Sequence, residues 1–327
     1  MGRLKYLLPV VFIACSSAAV SACTVLMWSD GRGSIFGNNE DSPVGEETVF
    51  IFVPAFGTAY GYFQMKSPSL KEPFVADYPQ GGMNEKGLAF DITATPLIKQ
   101  VEVNIPPETP YSGGNLMEQV LGYASTVDEA VALIQKYRAS ENIRRAAGIS
   151  EFRQMQVLLA DRNGDAAVIG VGPDGNLAVT RKTGKYMVIT NFSLVQPANS
   201  AADEKMRYDT AEGMLKGRKK VSADDMRSLL AAVHVEGLAA TLYSTIYDLK
   251  SLRINVYNFH DYEYVKSLNL RDELKKGPRT VPLAEFFKDR PLFSLRSMKE
   301  TAEKVRSLQE KYIQSQKADA ACVQPAK

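Results

Sequence analysis

The first part of the chain alternates short apolar runs with polar turns that contain glycine. Residues Cys23–Trp28 are apolar and β-prone, and the polar stretch Ser29–Gly33 separates them from Ser34–Gly37. Runs of this length, bounded by turn-forming residues, predict a strand, a turn and a second strand. The same pattern predicts four further strands, at Thr48–Val53, Tyr60–Met65, Phe74–Tyr78 and Leu88–Ala94.

The spacing of apolar residues becomes helical in the middle of the chain. Between Asn115 and Arg138 they recur mostly every three or four positions, which predicts one or two amphipathic helices with a break near Ser125–Asp128. Strands with turn signals between them return from Gln156 to Asn191. Two helices and a strand pair are then predicted, at Asp203–Leu215, Ser222–Val233 and Thr241–Leu268.

These blocks indicate the fold class and the division of the chain. Blocks of strands that alternate with blocks of helices favour antiparallel sheets covered by helices, so we expect an α+β protein, an αββα sandwich. One domain over residues 23–294 accounts for the pattern. Residues 295–327 contain a charged helix, Leu295–Lys317, which is either a solvated tail or an oligomer contact. The sequence does not decide between a monomer and a homo-oligomer.

The first 22 residues are typical of a cleaved signal peptide. Arg3 and Lys5 precede an apolar run, and small residues end the segment at Val20–Ala22. The apolar run is too short to cross a bilayer comfortably, which takes about 20 residues. A retained membrane anchor is the alternative. No later segment is apolar enough to span a membrane, so we expect no stable membrane insertion and a periplasmic or secreted location.

Charge and composition exclude several classes of protein. The net charge is only +2, and no basic or arginine-rich stretch indicates a nucleic-acid partner. Metal-ligand, nucleotide and serine-hydrolase motifs are absent, so the sequence indicates neither a metal nor an organic cofactor. The two histidines are His234, which ends a predicted helix, and His260, which lies in a predicted turn. Structural roles explain both better than catalysis does.

The predicted cleavage point gives Cys23 a possible chemistry of its own. Cleavage after Ala22 would make Cys23 the N-terminal residue, with an α-amine whose unperturbed pKa is about 7.7–8.0. An amine that titrates near neutrality can act as general base for the adjacent thiol, so no histidine is needed. Two alternatives stay open. Val20–Cys23 also resembles a bacterial lipoprotein box, in which case the chain would be a non-enzymatic surface lipoprotein anchored through Cys23. Cys23 could also form a disulfide with Cys322 in the tail.

Five segments downstream of Cys23 form an ordered series. They are Gly37–Asp41, Gly82–Leu88, Thr190–Asn191, Met206–Tyr208, and the pair Tyr243–Leu249 with Ile254–His260. Their order after Cys23-Thr24 resembles the choloylglycine hydrolase and penicillin V acylase family, with its acyltransferase and linear-amide relatives. The resemblance runs from Cys23 to about Phe287. It implies the N-terminal-nucleophile hydrolase fold and cleavage of an amide bond in a small N-acyl compound.

The resemblance also implies four catalytic roles. Cys23 would be the nucleophile and, through its amine, the base; Asp41 would hold that amine. Asn191 would donate its amide to the oxyanion, and Arg207 would place positive charge near the thiol. The plainer interpretations are a turn aspartate, a turn or capping asparagine and a solvated helix arginine.

The pocket and the substrate are less defined. Met83 and Asn84 would line the acyl pocket, and the position of a second oxyanion residue falls on Ala94, whose backbone N–H could serve. Bile-salt hydrolases typically carry arginine where this chain has Asn38. These departures lean towards the acyltransferase and linear-amide branch. Bile-salt conjugates, phenoxyacetyl amides, fatty acyl amides and acyl-homoserine lactones all stay open as substrates, as does acyl transfer.

Overall fold

The computed structural model describes residues 23–68, 78–95, 115–137, 154–172, 177–195, 202–237 and 239–289, and four positions of the tail, 303, 306, 307 and 310. Within these ranges the chain forms fourteen strands and five α-helices. The predicted signal peptide, the predicted strand Phe74–Tyr78 (except Tyr78) and the boundary at residue 294 lie outside them. The four tail positions are helical and exposed.

The strands form two antiparallel sheets. The six-stranded sheet has the order β10-β1-β2-β11-β12-β13, with β1 Thr24–Ser29, β2 Ser34–Pro43, β10 Tyr186–Ile189, β11 Ala239–Asp248, β12 Arg253–Asn258 and β13 Asp261–Asn269. The eight-stranded sheet has the order β14-β3-β4-β5-β6-β7-β8-β9, with β3 Val49–Val53, β4 Tyr62–Lys66, β5 Gly81–Asn84, β6 Ala89–Thr95, β7 Gln154–Ala160, β8 Ala166–Val171, β9 Leu177–Arg181 and β14 Arg279–Pro282.

Helices cover the outer face of each sheet. The helices are α1 Leu116–Tyr123, α2 Val127–Tyr137, α3 Ala202–Leu215, α4 Ala223–Ala232 and α5 Leu270–Lys275, and a 3-10 turn follows at Leu283–Phe286. One apolar cluster joins α1 and α2 to the eight-stranded sheet, and another joins α3 and α4 to the six-stranded sheet. A third cluster fills the space between the sheets. The predicted αββα sandwich is confirmed.

Strand β1 shows why its sequence is apolar on both faces. Successive strand residues point to opposite faces. Val25 and Met27 belong to the cluster between the sheets, whereas Leu26 and Trp28 pack in the cluster under the helices. All six residues of β1 are buried. Its position in the middle of the molecule places the preceding residue, Cys23, inside the protein as well.

Most predicted elements are found, with two differences. The segment Thr241–Leu268 was predicted as a strand pair but belongs to three strands, β11 to β13. The turn between β12 and β13 has two residues, and Phe259 adopts the left-handed backbone conformation (φ 53°) that turn signals normally assign to glycine. Strand β2 continues beyond Gly37 through Asp41 to Pro43, because its polar side chains are buried in a polar site rather than solvated.

Gly82 on β5 gives a test of this packing. A Cβ at Gly82 would lie 2.3 Å from the backbone carbonyl oxygen of Phe63, whereas a Cβ at exposed Gly213 on α3 would meet nothing within 4 Å. We expect Gly82→Ala to lower the free energy of unfolding by about 1–3 kcal/mol, because the sheet must shift. Gly213→Ala should be neutral or stabilising by up to about 1 kcal/mol. Urea denaturation measures both, and equal stabilities would contradict the described strand pairing.

Candidate active site

The site is centred on Cys23, at the start of the six-stranded sheet. Strand β1 pairs with β2 so that Thr24 lies opposite Asn39. Cys23 is 1% exposed, and its Sγ lies 3.6 Å from Oε2 of Glu40 and 4.0 Å from the carbonyl oxygen of Asp41. The thiol is therefore enclosed by the strand that carries the Gly37–Asp41 motif.

Arg207 on α3 connects three parts of the site. Its Nη1 donates to the carbonyl oxygen of Cys23 at 3.1 Å and to Oγ1 of Thr24 at 2.9 Å. Its Nη2 donates to Oδ1 of Asn191 at 3.1 Å, and Nη1 lies 3.9 Å from a carboxylate oxygen of Asp41. Arg207 is only 5% exposed, so it is not the solvated helix arginine of the plainer interpretation.

Asn191 follows β10 and is held on both sides of its amide. Its oxygen accepts from Arg207, and its Nδ2 donates to the carbonyl oxygen of Ala94 at 3.0 Å. Gln156 and Thr93 brace the same turn, because both donate to the carbonyl oxygen of Thr190, at 2.8 Å and 2.9 Å. The eight-stranded sheet thus fixes a loop of the six-stranded sheet. Neither Thr93 nor Gln156 was singled out from the sequence, where each looks like an ordinary strand residue.

A β-bulge shapes the surroundings of Asp41. The pairing of β11 with β2 shifts between Thr241 and Tyr243, so Thr241 lies opposite Asp41 and Tyr243 lies opposite Glu40. The hydroxyl of Thr241 donates a short hydrogen bond to Oδ1 of Asp41. Bulges often occur next to active sites, where they redirect side chains. Thr241 was also missed from the sequence, since nothing local marks a bulge.

Burial decides the protonation of Asp41. Removal from water raises the pKa of this fully buried carboxyl to about 8, although the hydrogen bond from Thr241 and the charge of Arg207 act in the opposite direction. A carboxyl group with this pKa is largely protonated near neutral pH. The plainer interpretation of Asp41 as a turn residue does not fit its position inside β2.

Glu40 and Asp91 add two further buried carboxyl groups. Burial raises the pKa of both well above the usual range, and the proximity of Asp91 and Asp41 raises that of Glu40 further. Oδ2 of Asp91 and the hydroxyl of Tyr243 accept or donate no hydrogen bond among the described residues. The cluster was not recognised from the sequence because Asp91 is 51 residues from Glu40 and lies on the other sheet. Burial away from water, the largest cause of the raised pKa, favours the neutral form of Glu40 beside the thiol.

Met83 and Asn84 lie in strand β5. Met83 is fully buried in the cluster between the sheets. Nδ2 of Asn84 donates to the carbonyl oxygens of Leu121 and Ala124, at 2.8 Å and 2.7 Å, and Oδ1 accepts from the backbone of Leu88 at 3.1 Å. These bonds join the turn after β5 to the end of α1. A role of either side chain in substrate binding stays a prediction.

The fold and site together define an N-terminal-nucleophile hydrolase architecture. Two antiparallel sheets lie between helix layers, and a buried cysteine stands directly before the first strand. The family model for linear amide C–N hydrolases of the choloylglycine hydrolase family matches residues 23–197, more than half of the chain. The protein belongs to this family, and the resemblance found in the sequence is confirmed.

Two solved structures with TM-scores above 0.5 support the fold. Two variants of a conjugated bile acid hydrolase from Clostridium perfringens, one with arginine replaced by leucine and one with cysteine replaced by alanine, align with TM-scores of 0.54. They are 17% and 16% identical to this chain, and the alignments cover 80% of it and 96% of each hydrolase. A penicillin V acylase from Agrobacterium tumefaciens aligns over 80% of this chain and 90% of its own, with 15% identity and a TM-score of 0.48.

No curated protein sequence matches the chain. Among the helices that the structure describes, none combines the length and apolar character needed to cross a membrane.

Asp41 leads to a prediction about pH. Its raised pKa means that the folded state holds a proton that the unfolded state releases above about pH 4. The free energy of unfolding that this proton contributes is therefore complete below about pH 4 and is lost as the pH rises to about 8. In the parent protein this proton should make the free energy of unfolding fall by about 1.4 kcal/mol per pH unit between these limits. We expect Asp41→Asn to abolish this part of the decrease. The protein for this test carries a short uncleavable extension before Cys23, which prevents a new terminal charge.

Asp209→Asn is the matched control, because Asp209 is 54% exposed on α3. Urea denaturation at several pH values between 4 and 8 measures the slopes. If Asp41→Asn and the parent protein give parallel curves, Asp41 is ionised in the folded protein and the assignment is wrong.

Proposed function

We propose that the mature protein hydrolyses the C–N bond of a linear N-acyl amide, with Cys23 as the N-terminal nucleophile. The observation that carries this proposal is the meeting of four residues from distant parts of the chain. Cys23 precedes β1, Asp41 lies on β2, Asn191 follows β10 and Arg207 lies on α3. Arg207 reaches the backbone carbonyl of Cys23 and the side chains of Asn191 and Asp41. Membership in a family of linear amide hydrolases supports the same chemistry.

In the proposed reaction, leader removal exposes the α-amine of Cys23, which accepts the thiol proton. The sulfur attacks the substrate carbonyl, and the amine returns the proton to the leaving nitrogen as the C–N bond breaks. A thioester remains on Cys23. Water then attacks the thioester carbonyl, which releases a carboxylic acid and restores the thiol. Asp41, adjacent to Glu40 on β2, would hold and orient the amine.

Asn191 and Arg207 would stabilise the charge that develops. The amide of Asn191 is oriented by Arg207 through its oxygen, and its Nδ2 points to the carbonyl of Ala94. In the reaction Nδ2 would exchange this partner for the oxyanion. The positive charge of Arg207, 3.1 Å from the Cys23 carbonyl, favours the thiolate.

The substrate and the location complete the proposal. The substrate is a small N-acyl amide whose acyl side is lined by Met83 and Ala94, whereas the Asn84 side chain is directed to the end of α1 and would support the strand. Residues 1–22 would direct export to the periplasm or the exterior and then be cleaved off. Acyl transfer is tested by adding an acceptor amine to the assay, where a new amide in place of the free acid would assign transferase activity.

Replacement of the nucleophile gives the first test. We expect Cys23→Ser to lower kcat/KM for N-acyl amides at least about 10³-fold, because a hydroxyl near pH 7 is a far weaker nucleophile than a thiolate. Intact mass spectrometry of the parent enzyme, quenched during turnover, should show the mass of one acyl group on the peptide that begins with Cys23. Circular dichroism checks that the variant is folded.

A second protein separates the amine from the thiol. One alanine placed before Cys23 keeps the thiol and removes its neighbouring amine, so it should be as inactive as Cys23→Ser. A fully active extended protein, or a diacylglyceryl mass on Cys23 of the exported protein, would disprove the mechanism. In the second case Cys23 would be a lipid anchor.

Asn191 gives an independent test. We expect Asn191→Ala to lower kcat about 10²–10³-fold with a smaller change in KM, because the oxyanion exists only during the reaction. Asn255→Ala on β12, where the side chain accepts from the hydroxyl of Ser267 at the surface, is the control and should retain activity. Steady-state kinetics at saturating substrate measures both. An unchanged kcat for Asn191→Ala would remove Asn191 from the mechanism.

A further inference from the structure

The two histidines of the chain lie side by side and are not among the residues assigned to catalysis. His234 follows α4 and His260 lies in the turn between β12 and β13, yet their ring centroids are 4.7 Å apart. Glu236 completes the group. Each of the three side chains has a potential ligand atom within 4.8 Å of the other two. Two imidazoles and one carboxylate are a common ligand set for zinc.

Backbone contacts prepare both rings to bind a cation. Nδ1 of His234 lies 2.6 Å from the carbonyl oxygen of Ala231, and Nε2 of His260 lies 3.0 Å from that of Val235. A carbonyl oxygen only accepts, so each of these nitrogens carries the proton. In neutral rings the second nitrogen then presents a lone pair. Metal-binding histidines usually have this arrangement, in which a backbone carbonyl fixes the tautomer and the ring orientation.

Glu236, the third potential ligand, lies beside the ring of His234. Oε1 of Glu236 lies 2.9 Å from Nε2 of His234, the nitrogen whose lone pair is available. A carboxylate and a lone pair repel each other unless a proton or a metal ion lies between them. The side chain of Glu236 is 71% exposed, so an ion can reach the group from solvent.

Backbone strain at the turn is a further observation. Phe259 has a φ of 53°, which is unfavourable for a bulky residue and places His260 beside His234. Strained residues of this kind tend to occur where the position of a neighbouring side chain matters. Packing of Phe259 on the ring of His260, with centroids 4.0 Å apart, supports this conformation.

We propose that His234, Glu236 and His260 bind a divalent transition-metal ion, with Zn²⁺ as the preferred ion and solvent as the fourth ligand. Zn–N and Zn–O bonds of about 2.0–2.2 Å require ligand atoms about 3.4 Å apart in a tetrahedral site. The potential ligand atoms of the three side chains lie within 4.8 Å of one another, and small side-chain movements would bring them to this distance. The mixed nitrogen and oxygen ligands favour Zn²⁺ and Co²⁺ over Mg²⁺ or Ca²⁺.

The proposed ion would restrain the segment that supports Asp41. The carbonyl oxygen of Val235 accepts from both His260 and the backbone N–H of Thr241, and the N–H of Val235 donates to Oγ1 of Thr241 at 2.9 Å. The hydroxyl of Thr241 in turn donates to Asp41. The ion would thus join the end of α4 to the β12–β13 turn. In the sequence, one of these segments precedes β11, the strand that holds Thr241, and the other follows it.

Metal titration of the folded protein tests the proposal. Thiols also bind zinc, so the protein carries Cys23→Ala and Cys322→Ser and begins at residue 23, and the result does not depend on amidase activity. We expect calorimetry to show one Zn²⁺ per chain. At 100-fold excess over Kd, Tm should rise on the order of 5 °C. Co²⁺ should give the intense visible bands of a four- or five-coordinate ion.

Variants assign the ligands. We expect His234→Gln, Glu236→Gln and His260→Gln each to weaken Zn²⁺ binding at least about tenfold. Glu263→Gln is the matched control, because Glu263 on β13 is 89% exposed and lies three residues after His260. Wild-type affinity in any two ligand variants, or millimolar binding in the parent, would overturn the proposal and leave an ordinary ion pair between His234 and Glu236.

Discussion

The guanidinium of Arg207 joins the parts of the site that the chain keeps furthest apart. It comes from a helix on the outer face of the six-stranded sheet and reaches the Cys23 carbonyl, the Asn191 amide and the Asp41 carboxylate. A charge that is 5% exposed is stable only when its partners replace water. Loss of this side chain would remove the buried donor to the Cys23 carbonyl, the Thr24 hydroxyl and the Asn191 amide oxygen. A buried polar group that loses its partner typically costs about 1–3 kcal/mol. The same contacts therefore hold the fold and position the proposed catalytic groups.

The surroundings of the thiol contain more acid than base. Glu40, Asp41 and Asp91 are all buried, whereas the described contacts supply one cation, Arg207. Burial raises the pKa of the three carboxyl groups, which favours their protonated forms and lowers the negative charge around the thiol. In the proposed mechanism, leader removal adds a terminal amine at Cys23, directly beside Glu40 and Asp41. Cleavage would then change the electrostatics of the site as well as create the base, because an ammonium group favours ionisation of a nearby carboxyl.

The sequence predicted the fold well because the fold depends on local periodicity. The two helices between Asn115 and Arg138 and the break between them follow from apolar spacing, and the helix predicted over Ser222–Val233 is found as α4, with Ser222 as its N-cap. The family resemblance supplied Asp41, Asn191 and Arg207, which the structure brings together. Periodicity could not supply Thr241, Glu40 or Gln156. Their importance comes from a bulge, from pairing across strands and from packing between sheets, none of which leaves a local pattern.

Strand β11 connects the surroundings of Cys23 with the pair of histidines. Without the bulge between Thr241 and Tyr243, residues opposite Asp41 and Glu40 would point to alternate faces of the sheet. The bulge instead directs Thr241 to Asp41 and places Tyr243 opposite Glu40. The segment before β11 is held at Val235. The backbone N–H of Val235 donates to Thr241, and its carbonyl oxygen accepts from His260. A rigid β11 is needed for both arrangements, since movement of Thr241 would change the protonation of Asp41 and the position of Val235 together. The position of His260 therefore depends on the same backbone segment that places the Thr241 hydroxyl on Asp41.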